Sequence, residues 1–201
     1  LKSRGPRYRS TITTAALRVA ESRIIADLLL NGQNDSEWRK VIVRDNVLQI
    51  RSPKAAIRIA NLLRARLVLM NPALWQMVRN GSSELATQAC FAAAIKHSPL
   101  VGDYLDLVIR EKYQIFAPNL SPTDWSNYID ECRARDPEMG IWSDRTIARL
   151  RVSVHSMLAQ VGYIDNVRTL QLQSVHIARE LLTLLREQQE HYVHQCITVR
   201  P

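Results

Sequence analysis

Between Leu120 and Val175 the chain is punctuated so closely that it leaves room for little besides helix, turn, helix and ribbon. Ser121 can cap a helix, Pro122 suits its first position, and Asp124 can reach back to close a capping box. Leu120 and Trp125 flank that cap as a hydrophobic staple. The helix has to end before Asp136-Pro137, because the residue ahead of a proline disfavours helical backbone. Ser143 then caps a second helix with Trp142 and Ile147 as its staple, and Gly162 supplies the left-handed exit.

The second helix carries Ile147, Leu150, Val154, Met157, Leu158 and Val161 on one buried stripe. At about 100° per residue, Arg145, Arg149 and Ser156 fall on the opposite face. Beyond Gly162, Asp165-Asn166 sits between Tyr163-Ile164 and the alternation of Leu170 and Leu172 with Gln171 and Gln173. That pattern predicts a short β-hairpin with Arg168 near its tip. Helix, helix and wing in this order make a winged-helix-type unit, an arrangement that usually touches nucleic acid. The same pattern also suits a small packed unit whose arginines form an ordinary solvated face.

The rest of the chain carries helical spacing, with few glycines and prolines and only 6% aromatics. The predicted fold is therefore mainly α, with a helical bundle and basic N-terminal arm over residues 1–117 and the winged-helix-type unit with a C-terminal helix over 118–201. Predicted helices run from Thr14 to Leu30, through Trp38 to Val43, from Ser52-Pro53, from Asn71-Pro72 to Gly81, from Ser83 to His97, from Val101 to Phe116, and from Ile177 to Gln189 and on through His194. Alanines 86, 89, 92, 93 and 94 mark Ser83–His97 as the central helix of the bundle. No apolar run reaches the roughly 18 residues of a membrane span. Three unclustered cysteines and the lack of a signal-peptide layout suit a cytoplasmic protein.

A net charge of +8 favours an anionic partner, and its distribution says more than its total. Residues 1–80 hold 15 Lys/Arg against 5 Asp/Glu, which places most phosphate attraction in the N-terminal half. Arg4, Arg7 and Arg9 surround Pro6 and Tyr8 without regular spacing, as a basic arm would; a tail with chance charge reads the same. Lys54 and Arg58 share a narrow helical sector with Asn61, and Arg51 lies beside it, so these cations are phosphate-binding candidates or a solvated face. Trp38 reads as a core anchor. Arg66, at the margin of the apolar side, should snorkel or find a carboxylate. Asp103, Asp106 and Glu111 could suggest acid/base chemistry, but Asp106 and Arg110 are spaced for a structural ion pair. His191, His194 and Cys196 lack the spacing of a zinc site.

There is no phosphate-binding loop, dinucleotide fingerprint, nucleophile elbow, kinase signature or paired-histidine zinc helix, which argues against an enzyme and predicts neither metal nor cofactor. Over nearly its full length the chain resembles the BrxA family, a small component of bacterial BREX (bacteriophage exclusion) defence systems. The resemblance rests on AESRIIADLLLNG (Ala20 to Gly32), NVLQIRSP (Asn46 to Pro53), the run from Leu85 to Tyr113, LSPTDW (Leu120 to Trp125), RDPEMGIWSDRTIARLR (Arg135 to Arg151) and VGYID (Val161 to Asp165). It implies a NusB-like helical first half and a non-enzymatic DNA-binding protein working beside the system's methyltransferase, phosphatase-like protein and ATPases.

The resulting expectation is a protein that binds double-stranded DNA mainly through the phosphate backbone. Arg4, Arg7, Arg9, Arg51, Lys54 and Arg58 would neutralise phosphates, Arg145 and Arg149 would enter or border a groove, and Arg168 would hold the wing. A protein–protein scaffold within the defence complex and an RNA-binding protein of NusB-like type are the alternatives.

Overall fold

A computed structural model describes residues 5–12, 16–32 and 35–201. The order is α1 (Val19–Leu30), α2 (Asp35–Arg39) running into a π-helical turn (Lys40–Arg44), α3 (Pro53–Leu67), α4 (Pro72–Asn80) and α5 (Ser83–His97). A continuous helical run follows, made of α6 (Pro99–Asp103), a second π-helical turn (Tyr104–Ile109) and α7 (Arg110–Gln114). Then come α8 (Pro122–Arg135), α9 (Asp144–Val161), α10 (Arg179–Glu187) and α11 (His191–Ile197). The protein is mainly helical, and among the described residues no helix is long and apolar enough to cross a membrane.

The helix starts follow the capping chemistry. Ser52, Asn71, Ser82 and Ser143 each accept a hydrogen bond from a first-turn amide, those of Ala55, Leu74, Leu85 and Thr146. Ser121 and Asp124 form the predicted capping box. Lys112 pairs with Asp124 at 2.8 Å; against the burial that would raise it, Lys112 and Ser121 hold the Asp124 carboxyl below its ordinary value. Gly162 ends α9 at φ +102°, a conformation only glycine adopts freely.

The axis of the fold is α5. Its five alanines are fully buried, and helices α1, α3, α4, α6, α9, α10 and α11 all pack on it. Alanines over about half its circumference let so many neighbours approach at once. The buried apolar residues form one cluster reaching from Tyr8 to Val199. Burial pushes the Cys90 and Cys132 thiols up to about 11 and the Cys196 thiol up to about 12, so all three are protonated core residues.

Several expectations are corrected. Residues 5–12 lack regular structure but do not form a free arm: Tyr8 and Ile12 are buried, because Tyr8 and Arg7 have a carboxylate waiting for them on α6. The helix expected from Thr14 begins at Val19, since Arg18 takes a left-handed conformation at φ +50°; residues 13–15 lie outside the described ones. The last helix breaks at Gln189, whose φ is +55°, and Glu190 is held there by an ion pair with Lys96. Arg66 donates to the carbonyl of Ala16 at 2.9 Å, and burial lowers its pKa to about 10. Asp106 and Arg110 do form the expected pair, at 2.6 Å.

In place of the predicted two-stranded hairpin there are isolated antiparallel bridges, Ile164 with Leu172 and Asn119 with Gln171. Three segments therefore lie side by side, with 171–173 between 163–165 and 118–120. Leu120 donates to Leu170 and Leu172 to Pro118, while Gln173 donates to Tyr163. The alternation of Leu170 to Gln173 identified the central segment, but nothing local showed that the chain just ahead of α8 would supply a third.

Candidate nucleic-acid interface

The surface-facing side of α9 is set by what holds its other side. Tyr104, Trp125, Tyr128 and His155 form an aromatic cluster, with Tyr104 5.2 Å from Trp125 and 5.0 Å from Tyr128 between ring centroids. Trp125 Nε1 donates to the carbonyl of Ile147 at 3.2 Å, which ties α8 to α9. Nε2 of His155 lies 3.2 Å from the Tyr104 hydroxyl. With Leu150, Val154, Met157 and Leu158 buried, α9 has no freedom to roll.

Burial, with Arg151 close by, lowers the His155 pKa to about 4. An unfolded histidine takes its proton near 6.5, so the stability that the neutral ring contributes is fully present above that pH and is lost as pH falls through the window down to 4. Between pH 7 and pH 5 the loss should be about 2 kcal/mol, measured by urea unfolding at the two pH values. His155→Gln should flatten that slope; an unchanged slope in the variant would show that another group is responsible.

The outward face then presents Arg145, Arg149, Val152 and Ser156 in line, and all four line one groove of about 660 Å³. Its other wall is Ala16, Arg18 and Glu21, from the segment entering α1. The wall is fastened where Gln160 Oε1 accepts from the amide of Leu17 at 3.2 Å, at the far end of α9 from Arg145. Arg18 is paired with Glu21 at 2.7 Å. Arg145 and Arg149 are exposed and have no hydrogen-bond or ion-pair partner among the described residues. The N-terminal two turns of α9 are thus open and cationic, while its last turn is roofed.

At the ribbon end, Asn166 Oδ1 accepts from the amides of Arg168 and Thr169 at 2.8 and 3.1 Å. Asp165 accepts from the Thr169 hydroxyl at 2.5 Å and the Gln171 amide at 2.9 Å. The Thr169 hydroxyl, with the amides of Asn166 and Gln171, holds the Asp165 carboxyl below its usual value. This side-chain-stapled turn presents exposed Val167 and Arg168.

Lys54 and Arg58 on α3, and Arg51 just ahead of it, are all exposed and without a partner among the described residues. Asn61, expected beside them, instead accepts from Trp38 Nε1 at 3.0 Å. That bond docks α2 beside the stripe, and Trp38 is the core anchor expected of it. The following π-helical turn also packs on α3, so exposed Arg39, Lys40 and Arg44 come from elements that border the stripe. Sequence reading passed over these three because a five-residue helix gives too short a window for a face to register.

The arm candidates divide. Arg4 lies outside the described residues. Arg7 is committed to Asp103, with Nε at 3.1 Å from one oxygen and Nη2 at 2.9 Å from the other. Arg9 is exposed and donates to the carbonyl of Pro6. Asp103 is thus a buried structural hub rather than part of an acid/base pair. Among the described residues no three His, Cys, Asp or Glu side chains gather as metal ligands would.

The profile of the BrxA family matches residues 6–189. The chain belongs to the BrxA family. A protein named BREX protein BrxA, from Paramagnetospirillum magneticum, is 50% identical over 96% of this chain and 98% of its own length. Another of that name, from Escherichia coli O9:H4, is 32% identical over 83% of this chain and 78% of its own. In three dimensions the fold matches a crystal structure described as an uncharacterized protein from Magnetospirillum magneticum. The TM-score is 0.91 at 48% identity, covering 96% of this chain and all of that one. The family match spans α3, α9 and the turn at Arg168, so all three cationic surfaces lie within the shared region.

Proposed function

We propose that this protein is a non-enzymatic DNA-binding component of a BREX phage-defence system, gripping double-stranded DNA mainly by its phosphates. The single observation that carries this reading is the groove in which Arg145, Arg149 and Ser156 come together, those two arginines unpaired among the described residues and its open end at the N-terminus of α9. That end is where a recognition helix makes its contacts. We take α8, α9 and the three-segment ribbon as a winged-helix-type unit, with Arg168 on the wing and Arg51, Lys54 and Arg58 as the phosphate clamp of the first lobe. The division at residue 118 is then a functional one, a reading unit set on a clamp.

The test is duplex affinity across a salt series. A protein contacting several phosphates gives a steep slope of log affinity against log salt, about 0.9 per contact; tight binding with a shallow slope would sink the reading. Hairpin RNA as competitor decides the NusB-like alternative, since RNA recognition favours loops and single strands. Arg145→Ala/Arg149→Ala should lower the slope by about 1.8.

A scaffold reading has its own support in Phe116, which is 85% exposed beside exposed Ile115 and just ahead of the edge segment of the ribbon. Its partners would be the methyltransferase, phosphatase-like protein or ATPase of the system. Co-purification that survives nuclease treatment and fails in Phe116→Ser, without DNA affinity, would favour it.

A further inference from the structure

A second cavity, of about 410 Å³, lies outside every surface described above, between the loop ahead of α10, α10 itself and the residues closing α11. Its lining divides sharply by chemistry. Ile177, Leu182 and Val199 supply an apolar floor; Arg186, Arg200 and His194 supply a rim of nitrogen donors; no Asp or Glu lines it.

The hydrogen bonding around it leaves donors in excess. The carbonyls that end α11 would repel an anion, but three of the last four already accept a side-chain hydrogen bond, which weakens that repulsion. His194 O accepts from the Thr198 hydroxyl at 2.7 Å, Gln195 O from Arg110 at 3.0 Å, and Ile197 O from the Tyr163 hydroxyl at 2.5 Å. Arg186 spends only its Nε, on the carbonyl of Leu182 at 3.3 Å, and Arg200 has no partner among the described residues. Glu190, the acid beside α11, is paired away with Lys96.

We infer that this cavity binds a small organic anion, one phosphate, sulfonate or carboxylate carried on an apolar or aromatic body. The head lies against Arg186 and Arg200 and the body on Leu182, Ile177 and Val199. A bare inorganic anion would leave the floor wet, and a neutral apolar ligand would leave two guanidinium groups above it unused. The volume falls within the roughly 300–1,000 Å³ of small-molecule sites.

The test titrates the full-length protein with phenyl phosphate, and with inorganic phosphate and phenol as its two halves, followed by protein-observed NMR. Phenyl phosphate should bind at least tenfold more tightly than either half, and its shifts should centre on Leu182, His194 and Val199. Arg186→Gln/Arg200→Gln, both on exposed side chains, should weaken phenyl phosphate at least tenfold, leave phenol unchanged and leave the thermal midpoint where it was. Hexyl phosphate against adenosine monophosphate then separates a lipid-like body from a nucleoside one, the tighter binder assigning the source. Binding no tighter than inorganic phosphate, an unaffected double variant, or shifts confined to Arg145 and Arg149 on α9 would each overturn the inference.

Discussion

Asp103→Ala should remove about 3–5 kcal/mol of unfolding free energy. Four donors converge on this carboxylate. The Tyr8 and Tyr192 hydroxyls approach at 2.7 and 2.6 Å, and Arg7 adds its Nε and Nη2. Burial, and then the carboxylate itself, push both phenols well above their ordinary pKa, so they remain donors at any working pH. Removing the acceptor leaves the buried Tyr8 hydroxyl without its carboxylate and the half-buried Tyr192 hydroxyl with only the Pro99 carbonyl at 3.4 Å, losses of about 1–3 kcal/mol each, whereas Arg7 is half exposed and regains water. Arg7→Gln should cost less, about 1–2 kcal/mol, because the Asp103 carboxylate loses its cation but keeps the two phenol donors.

Asp103→Asn should fall between the two, at about 2 kcal/mol, because an amide keeps one acceptor and turns its NH₂ toward groups that are already donating. Urea unfolding of the three variants checks the ranking. A loss below about 1 kcal/mol for Asp103→Ala would mean that the segment around Tyr8 is held without the Asp103 hub. Tyr8 also has its amide bound to Asp136 Oδ2 at 3.1 Å, at the end of α8. One short segment near the N-terminus thus ties α6, α8 and α11 together, and the chain then runs toward the wall of the α9 groove.

How much of this was legible in advance divides along sequence distance. Helix boundaries at Ser52-Pro53, Asn71-Pro72, Ser121-Pro122, Ser143 and Gly162 could be read because a cap is decided within four residues. The outward face of α9 could be read because a helix of 18 residues gives its periodicity room to register. The role of Asp103 could not: its partners lie about 90 residues away on either side, and an aspartate on a helix looks the same whether it faces water or two tyrosines. Arg7 was misjudged with it, since a basic stretch gives no sign that a carboxylate is waiting elsewhere. The groove was hidden for the same reason, being assembled from residues near 16–21 and 145–160. The π-helical turns were also missed, as neither Lys40–Arg44 nor Tyr104–Ile109 carries a proline or a glycine to mark the extra residue.

On the proposed function, Arg51→Ala/Lys54→Ala/Arg58→Ala should weaken duplex DNA binding by about 3 kcal/mol at roughly 0.1 M salt, some two orders of magnitude, and lower the salt slope by about 2.7. All three side chains are exposed and unpartnered among the described residues, so stability should stay within about 0.5 kcal/mol of the parent. A urea curve separates lost binding from lost fold. The slope also distinguishes the two lobes. If the α3 stripe and the α9 face hold the same duplex, the triple variant and Arg145→Ala/Arg149→Ala should subtract from one slope additively, about 4.5 in the fivefold variant. Loss of sequence preference should follow only the α9 pair, at about 1–3 kcal/mol per base contact. If the triple variant leaves both affinity and slope unchanged, the stripe is solvated surface and the clamp assigned to the first lobe does not exist. Arg39, Lys40 and Arg44 beside it would then have to be tested by the same slope before any phosphate contact could be assigned to that half of the protein.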